Sequence, residues 1–185
     1  ATPEIYTLSL HDALPIYLIK WNPAIKTDSD RTGLLRGVEE NLIDLIATDH
    51  APHLRPDKEK PYTECPSGAP LIQHSLVAMM SFYHNSKLSM PALVEKMCHA
   101  PASLFRIKNR GFLREGYAAD LVLVNPDDPW TVDKETILSK CGWSPMEGVT
   151  FKSRVTHTWV NGQLVFNQGR FDSTIRGERL EFSVD

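Results

Sequence analysis

Residues 42–53, Leu-Ile-Asp-Leu-Ile-Ala-Thr-Asp-His-Ala-Pro-His, limit what this chain can fold into more than any other stretch. Their centre, Leu45-Ile46-Ala47, is a short apolar run of the kind that forms a strand buried on both faces of a parallel sheet. The run stops at Thr48, Asp49 and His50, and His53 follows. Ionisable side chains crowded at the end of a buried strand cost free energy unless something pairs with them. In a parallel α/β barrel, catalytic groups stand at the C-terminal ends of strands. An acid with two histidines there suits a metal-assisted hydrolase. The same residues also fit a plainer arrangement, a helix N-terminus capped by Asp49 with both histidines in water.

Size bounds the first option. The chain has 185 residues, whereas a complete (β/α)8 barrel takes about 250. If Asp49 belongs to a barrel, the chain holds only the end of one. A hydrophobic fraction of 42% fits a soluble globular protein, and a net charge of −3 gives no reason to expect nucleic-acid binding. Cys65, Cys98 and Cys141 are far apart and form no C-x-x-C pair, which fits buried free thiols in a reducing cytoplasm. No apolar run approaches the roughly 18 residues of a membrane span.

Residues 1–16 contain no lysine or arginine and no long apolar core, unlike a signal peptide. Residues 7–16, Thr-Leu-Ser-Leu-His-Asp-Ala-Leu-Pro-Ile, look like one reading frame of a common sequencing adapter. Residues 1–16 are set aside as an assembly scar, the alternative being a native amphipathic turn around His11 and Asp12. His11 is not taken as a metal ligand, since no second ligand stands beside it at metal-binding spacing.

From Tyr17 the chain reads as a strand over 17–21, β-branched and aromatic, ended by Asn22-Pro23. A helix capped by Asp28 or Ser29 follows, with Leu34, Leu35, Val38 and Leu42 on one face and Asn41 closing it. With the strand through Thr48 this makes a β-α-β unit whose crossover implies parallel strands. Asn22 and Asp49 would then share one face of the sheet, at C-terminal strand ends. The long irregular segment 54–69 begins beside them and has the length of a functional loop or lid. Its charged part, 55–60, reads as solvated surface. Residues 66–70, Pro-Ser-Gly-Ala-Pro, form either an ordinary turn or one whose exposed amides can hold a carboxylate.

A helix over 71–83 follows, with Ile72, Leu76, Met79, Met80 and Tyr83 as its buried stripe. Ser89 caps a helix through Met97 that turns Leu93, Val94 and Met97 inward, and a short helix covers 102–105. His74, His84 and His99 read as packing or surface residues. After the Arg110-Gly111 turn the texture changes. Residues 121–124, 155–160 and 163–166 read as strands, with Asn161-Gly162 as a hairpin turn. This is a small β module from about Gly111 onward, with His157 in a structural position.

Several of these strings resemble the dihydroorotases, cyclic amidohydrolases of the amidohydrolase superfamily. Residues 46–53, Ile-Ala-Thr-Asp-His-Ala-Pro-His, resemble the signature near the end of their barrel. Residues 22–26, Asn-Pro-Ala-Ile-Lys, resemble an upstream Asn-Pro-Pro-Leu-Arg element, with Ala24 and Lys26 replacing Pro and Arg. Tyr117-Ala118-Ala119-Asp120-Leu121-Val122 resembles the turn where such chains re-enter a β-sandwich, and Val160-Asn161-Gly162 its closing hairpin. The resemblance covers nearly everything from Tyr17. The Thr-Asp-His-Ala-Pro-His string is specific, and the Ala-Asp-Leu turn is shared by many amidohydrolases.

The resemblance implies an α/β fold: the C-terminal part of a (β/α)8 TIM barrel over 17–110, followed by part of a small β-sandwich over 111–185. It implies reversible, zinc-dependent hydrolysis of the cyclic amide of dihydroorotate to N-carbamoyl-aspartate in cytoplasmic pyrimidine synthesis, with one or two Zn²⁺ per site. Asp49 would be the zinc-bound catalytic acid/base, and Asn22, His53, Ser67 and Gly68 would contact the substrate. His50 is not assigned as a ligand. The family's His-x-His pair, carboxylated lysine and two further histidines have no counterpart here, so the chain by itself is expected to be an inactive part of the enzyme. The family also admits a homo-oligomer or an association with aspartate transcarbamoylase. Sister enzymes (allantoinase, dihydropyrimidinase or hydantoinase) and a non-catalytic dihydroorotase-like scaffold are the alternatives. Ala51-Pro52-His53 after Asp49-His50 favours dihydroorotase over the sisters.

Overall fold

The computed structural model describes residues 17–183; the scar reading of 1–16, His11 included, lies outside the described residues. Two compact units divide the chain. One gathers residues 17–42, Ala47–Ala78 and Trp130–Phe151, and the other Ile43–Ile46, Met79–Pro129 and 152–183.

In the first unit, α1 (Asp28–Glu39) is capped one residue earlier than expected, by Thr27. The Thr27 hydroxyl accepts from the Asp30 amide at 3.4 Å and the Asp30 carboxylate accepts from the Thr27 amide at 3.0 Å, a reciprocal capping box. Asn41 follows the helix with φ 59°, the left-handed ending asparagine tolerates. No residue of α1 is buried, and Leu34 and Leu42 are 61% and 74% exposed. The spacing gave the helix but not the cover for its apolar face.

The two expected strands do not form. Residues 17–19 are a turn, although Leu18 and Ile19 are buried, and 44–49 are irregular, with Leu45 and Ile46 half-buried and Ala47 exposed. A doubly buried parallel strand needs a ladder on each side. Among the described residues, the parallel pairing is one isolated bridge, His50 to Ala69. The core of this unit is instead Leu18, Ala69 and Trp143, with Tyr17, Trp21, Leu71 and Cys141 against it.

The segment after His53 holds a short helix, α2 (Arg55–Lys58). Arg55 pairs with Glu59 and Lys60 with Asp57 in the open. Lys58, expected in water with them, is fully buried. A 3-10 turn (Ile72–His74) leads into α3 (Ser75–His84). The buried positions here are His74, Val77, Met80 and Ser81, while Ile72 and Tyr83 are exposed. The expected stripe therefore keeps only Met80. Leu76, Val77, Ala78, Met79 and Met80 are all apolar, so spacing alone does not identify the inner face.

Short strands β2 (Trp130–Thr131) and β3 (Thr150–Phe151) pair antiparallel. His74 stacks on Phe151 at 6.0 Å and lies 6.1 Å from the Trp130 ring. Its Nδ1 is 3.3 Å from the Ser144 hydroxyl. Burial pushes its pKa from 6.5 down to about 4.

In the second unit, Ser89 caps α4 (Met90–Val94), its hydroxyl accepting from the Ala92 amide at 3.2 Å. The helix does not stop near Met97. A π-helical turn (Glu95–His99) and α5 (Ala100–Leu104) continue it, so the short helix starts two residues early. Leu93 and Lys96 are buried, and the Lys96 ammonium donates to the Ile43 carbonyl. Gly111 turns the chain with φ +79°, and a Cβ there would sit 2.3 Å from that of Ala102.

Strands β1 (Leu121–Asn125), β4 (Arg154–Val160), β5 (Gln163–Asn167) and β6 (Arg170–Phe171) form an antiparallel sheet in the order β1-β4-β5-β6. Asn161 and Gly162, with φ 51° and 78°, make the two-residue turn between β4 and β5. The Asp120 carboxylate accepts from the Asn161 amide at 2.8 Å and pairs with Arg110, which also donates to the Asn161 side-chain oxygen at 2.5 Å. The Ala-Asp-Leu turn and the hairpin are thus one hydrogen-bonded knot.

His157, His99 and His84 have packing roles. His157 stacks on Trp159, His99 stacks on Phe112 at 4.4 Å, and His84 Nε2 lies 2.7 Å from the Ser153 hydroxyl. Among the described residues no helix is long and apolar enough to cross a membrane.

Candidate active site

The residues singled out around Asp49 all lie in the first unit. The segment 50–51 runs beside 69: His50 bridges to Ala69, and the Ala51 amide donates to the Ala69 carbonyl at 3.1 Å. This brings the Ser67-Gly68 turn against the motif. His53 donates from Nε2 to the Ser67 carbonyl at 2.9 Å, and the His53 carbonyl accepts from the Trp143 indole at 2.8 Å. Gly68 has φ +114°, and a Cβ on it would lie 2.5 Å from the Ala51 Cβ and 3.1 Å from the Ala51 carbonyl oxygen. Only glycine meets both the torsion and the close approach.

Neither histidine of the motif is a bare solvated side chain. His50 Nδ1 accepts from the Leu71 and Ile72 amides at 3.1 and 3.2 Å, and so fixes the entry to the 3-10 turn. In the neutral ring that leaves the proton on Nε2, which then has no lone pair for a metal. His50 is a structural member of the motif. His53 spends its Nε2 proton on Ser67, so a carboxylate bound at Nδ1 requires the doubly protonated ring.

The 66–70 turn differs from the expected row of exposed amides. Gly68 is buried, and its amide donates to the Lys20 carbonyl at 2.9 Å. Ser67 is half-buried. Asp49 is exposed, with φ 48°, in the left-handed region where aspartate is tolerated better than most residues. Asn22 is also exposed. Neither side chain hydrogen-bonds another described residue. The structure thus joins His53, Ser67 and Gly68, and leaves Asp49 and Asn22 outside that network.

A zinc pair needs several ligands converging within about 2 Å of each ion. Among the described residues, no group of three His, Cys, Asp or Glu side chains could hold one. Asp49 alone does not make such a site, and the residues present do not fit the metal.

Sequence reasoning missed Lys58, Lys20 and Trp143. Lys58 donates to the Pro66 carbonyl at 2.9 Å and the Lys20 carbonyl at 3.3 Å. Lys20 donates to the Tyr62 and Cys65 carbonyls at 2.6 and 2.7 Å. Lys58 stands in a charged run and Lys20 in an apolar stretch, and neither setting shows which carbonyls the ammonium meets. Trp143, within Gly142-Trp143-Ser144-Pro145, carried one available signal: a large aromatic in a loop usually has somewhere to be buried.

The chain is similar to known proteins in sequence and in fold. The chain is 37% identical over 169 residues to the dihydroorotase of Clostridioides difficile (strain 630), a match covering 90% of this chain and 39% of that protein. It is 35% identical over 149 residues to the dihydroorotase of Anaplasma phagocytophilum (strain HZ), covering 80% and 33%. The chain therefore spans less than two fifths of the length of these relatives. Among solved structures it is similar to L-hydantoinase (dihydropyrimidinase) from Arthrobacter aurescens, with TM-score 0.77 and 30% identity over 83% of this chain and 35% of that one. It also shares the fold of D-hydantoinase (dihydropyrimidinase) from Thermus sp., with TM-score 0.79 at 19% identity, covering 92% and 39%. The family model described as "Amidohydrolase family" matches residues 22–165. That match takes in the Asn22 element, the Asp49 motif, the Ser67-Gly68 turn and the Asn161-Gly162 hairpin together, and the chain belongs to the amidohydrolase family.

Proposed function

We propose that this chain is the C-terminal portion of a dihydroorotase, with the end of the (β/α)8 barrel over 17–110 and part of the β-sandwich over 111–185. The enzyme would interconvert dihydroorotate and N-carbamoyl-aspartate in cytoplasmic pyrimidine synthesis. The observation that carries this reading is the Thr48–His53 motif, with His53 hydrogen-bonded to the Ser67 carbonyl of the facing turn. The identity to two dihydroorotases across 80% or more of the chain supports it.

In this reading Asp49 is the acid/base. Its carboxylate makes no hydrogen bond to another described residue and so can accept a proton from the attacking water. The water oxygen bonds to the ring carbonyl carbon, the amide C–N bond breaks, and Asp49 returns the proton to the departing nitrogen. Asn22 reads the amide edge of the ring. His53 and the Ser67 amide hold the substrate carboxylate, and Gly68 contributes by letting that turn lie against Ala51. Zinc would require ligands beyond the described residues. A second copy or aspartate transcarbamoylase as partner belongs to the same proposal.

The test is the ring-opening rate of the full-length, zinc-loaded protein on dihydroorotate, allantoin, hydantoin and dihydrouracil. Dihydroorotate should be preferred by about 10²-fold or more, because a site built for its carboxylate loses those bonds with uncharged rings. Preference for hydantoin or dihydrouracil would make it a sister enzyme. Turnover of none would make it a scaffold.

A further inference from the structure

Lys58 has no part in the chemistry above, yet it is fully buried. It pairs with no carboxylate among the described residues, and burial lowers its ammonium's pKa below the ordinary lysine value. An unpaired buried cation is unfavourable compared with an apolar side chain of the same length. What offsets it is two backbone carbonyls, Pro66 at 2.9 Å and Lys20 at 3.3 Å.

Those carbonyls belong to the two segments that carry the proposed substrate contacts. Pro66 immediately precedes Ser67, and Lys20 stands two residues before Asn22. The Lys20 carbonyl also accepts from the Gly68 amide at 2.9 Å, so one oxygen takes hydrogen bonds from both Lys58 and the turn. Outside this node, the Lys20 ammonium grips the same loop at the Tyr62 and Cys65 carbonyls. No ladder joins 17–22 to 66–69 among the described residues. Leu18 and Ala69 meet in the core cluster with Trp143, and the hydrogen bonds across the junction come from the Gly68 amide and the two lysines.

We infer that Lys58 is a positioning residue, which holds the Asn22 segment and the Ser67-Gly68 turn in register so that both face one substrate. The inference rests on the proposed function for the word substrate, and on the Lys58, Lys20, Pro66 and Gly68 geometry for the rest. Lysine suits the task because its ammonium offers several donors on an unbranched stem that reaches from α2 across to both carbonyls.

Two measurements test it. In the 185-residue chain, amide hydrogen exchange at Gly68 should be faster by about tenfold or more in Lys58→Met, since the charge-assisted bonds to its acceptor, the Lys20 carbonyl, and to the Pro66 carbonyl of its turn are both gone. Lys58→Gln, which keeps an uncharged NH2 donor group, should show a smaller acceleration and serves if the methionine variant does not fold. Unchanged Gly68 exchange in both folded variants overturns the inference, whatever the enzyme's substrate. In the full-length enzyme, Lys58→Met should raise KM for dihydroorotate by about tenfold with kcat within about threefold, because positioning acts on binding. A fall in kcat that merely tracks the folded fraction, with KM unchanged, would make Lys58 structural only. If wild-type enzyme opens no ring, the functional reading fails, and the Gly68 exchange result still decides the role of Lys58.

Discussion

Residues 47–53 and strand β4 (Arg154–Val160) both end in residues that mark the fold, but their backbones are held in different ways. β4 lies between β1 and β5, and its peptide groups pair with two neighbouring strands. Around Asp49 the holding is done by scattered pins. These are the Ala51 amide on Ala69, the His50 ring under the Leu71 and Ile72 amides, and the Trp143 indole on the His53 carbonyl. A ladder spreads its stabilisation over many equivalent bonds, so no single side chain decides it. A pinned segment depends on a few side chains and is open to single substitutions. It also leaves the Asp49 side chain exposed, as the role proposed for it requires.

The largest effect that would sharpen this contrast is at Trp143. It is buried, it centres the first unit's core and it holds His53. Trp143→Ala should cost about 3–5 kcal/mol, the range for a buried aromatic deleted from a core. Urea denaturation followed by circular dichroism reads this, and a loss below about 1 kcal/mol would break the contrast.

Next is acid. The His74 pKa falls from 6.5 to about 4 on folding because the neutral ring is buried. The unfolded chain then binds the extra proton first. The stabilising contribution is complete above pH 6.5, is lost as pH falls from 6.5 to 4, and is constant below that. The loss over this window is about 3 kcal/mol. His74→Phe should flatten most of the slope in a pH series of denaturation midpoints. A smaller slope from His84, whose pKa burial also lowers, should survive. An unchanged slope would show that His74 is not the sensor.

Smaller again is the ladder's own most demanding position. Gly162 has φ +78° and open space around an added Cβ, with the Ala119 Cβ at 4.0 Å. Gly162→Ala should therefore cost only the left-handed backbone penalty, about 1 kcal/mol. The smallest effect belongs to α1. Leu34→Ser should change stability by less than about 0.5 kcal/mol, because Leu34 is already 61% exposed. A cost above about 1.5 kcal/mol would mean that the helix has a covered face.

The same contrast explains what could be read from the residues. The hairpin was legible because everything that sets it is local: alternating β-formers, Asn161-Gly162 between them, and a partner strand within ten residues. The helix at 28–39 was legible for the same reason, although Thr27 rather than Asp28 or Ser29 caps it. The strands expected at 17–21 and 45–48 depend on neighbours distant in sequence, and local composition does not say whether those neighbours are at hand. At the site, the motif drew attention to Asp49 and His53, and the spacing of Pro66 to Pro70 marked the turn that receives His53. Lys58 could not be read. A lysine in a run of charged residues looks solvated until the fold wraps carbonyls around it, and those carbonyls come from residues 20 and 66.

The proposed function depends on Asp49 acting as the acid/base of a site that opens dihydroorotate. The most direct test compares ring opening by the full-length, zinc-loaded protein with that of its Asp49→Ala variant, after checking that both fold alike. The expected result is a turnover lower by on the order of 10²–10⁴-fold, the size of a general acid/base contribution. A variant that keeps more than about a tenth of wild-type turnover would contradict the assignment and leave Asp49 an exposed bystander beside the His53 turn.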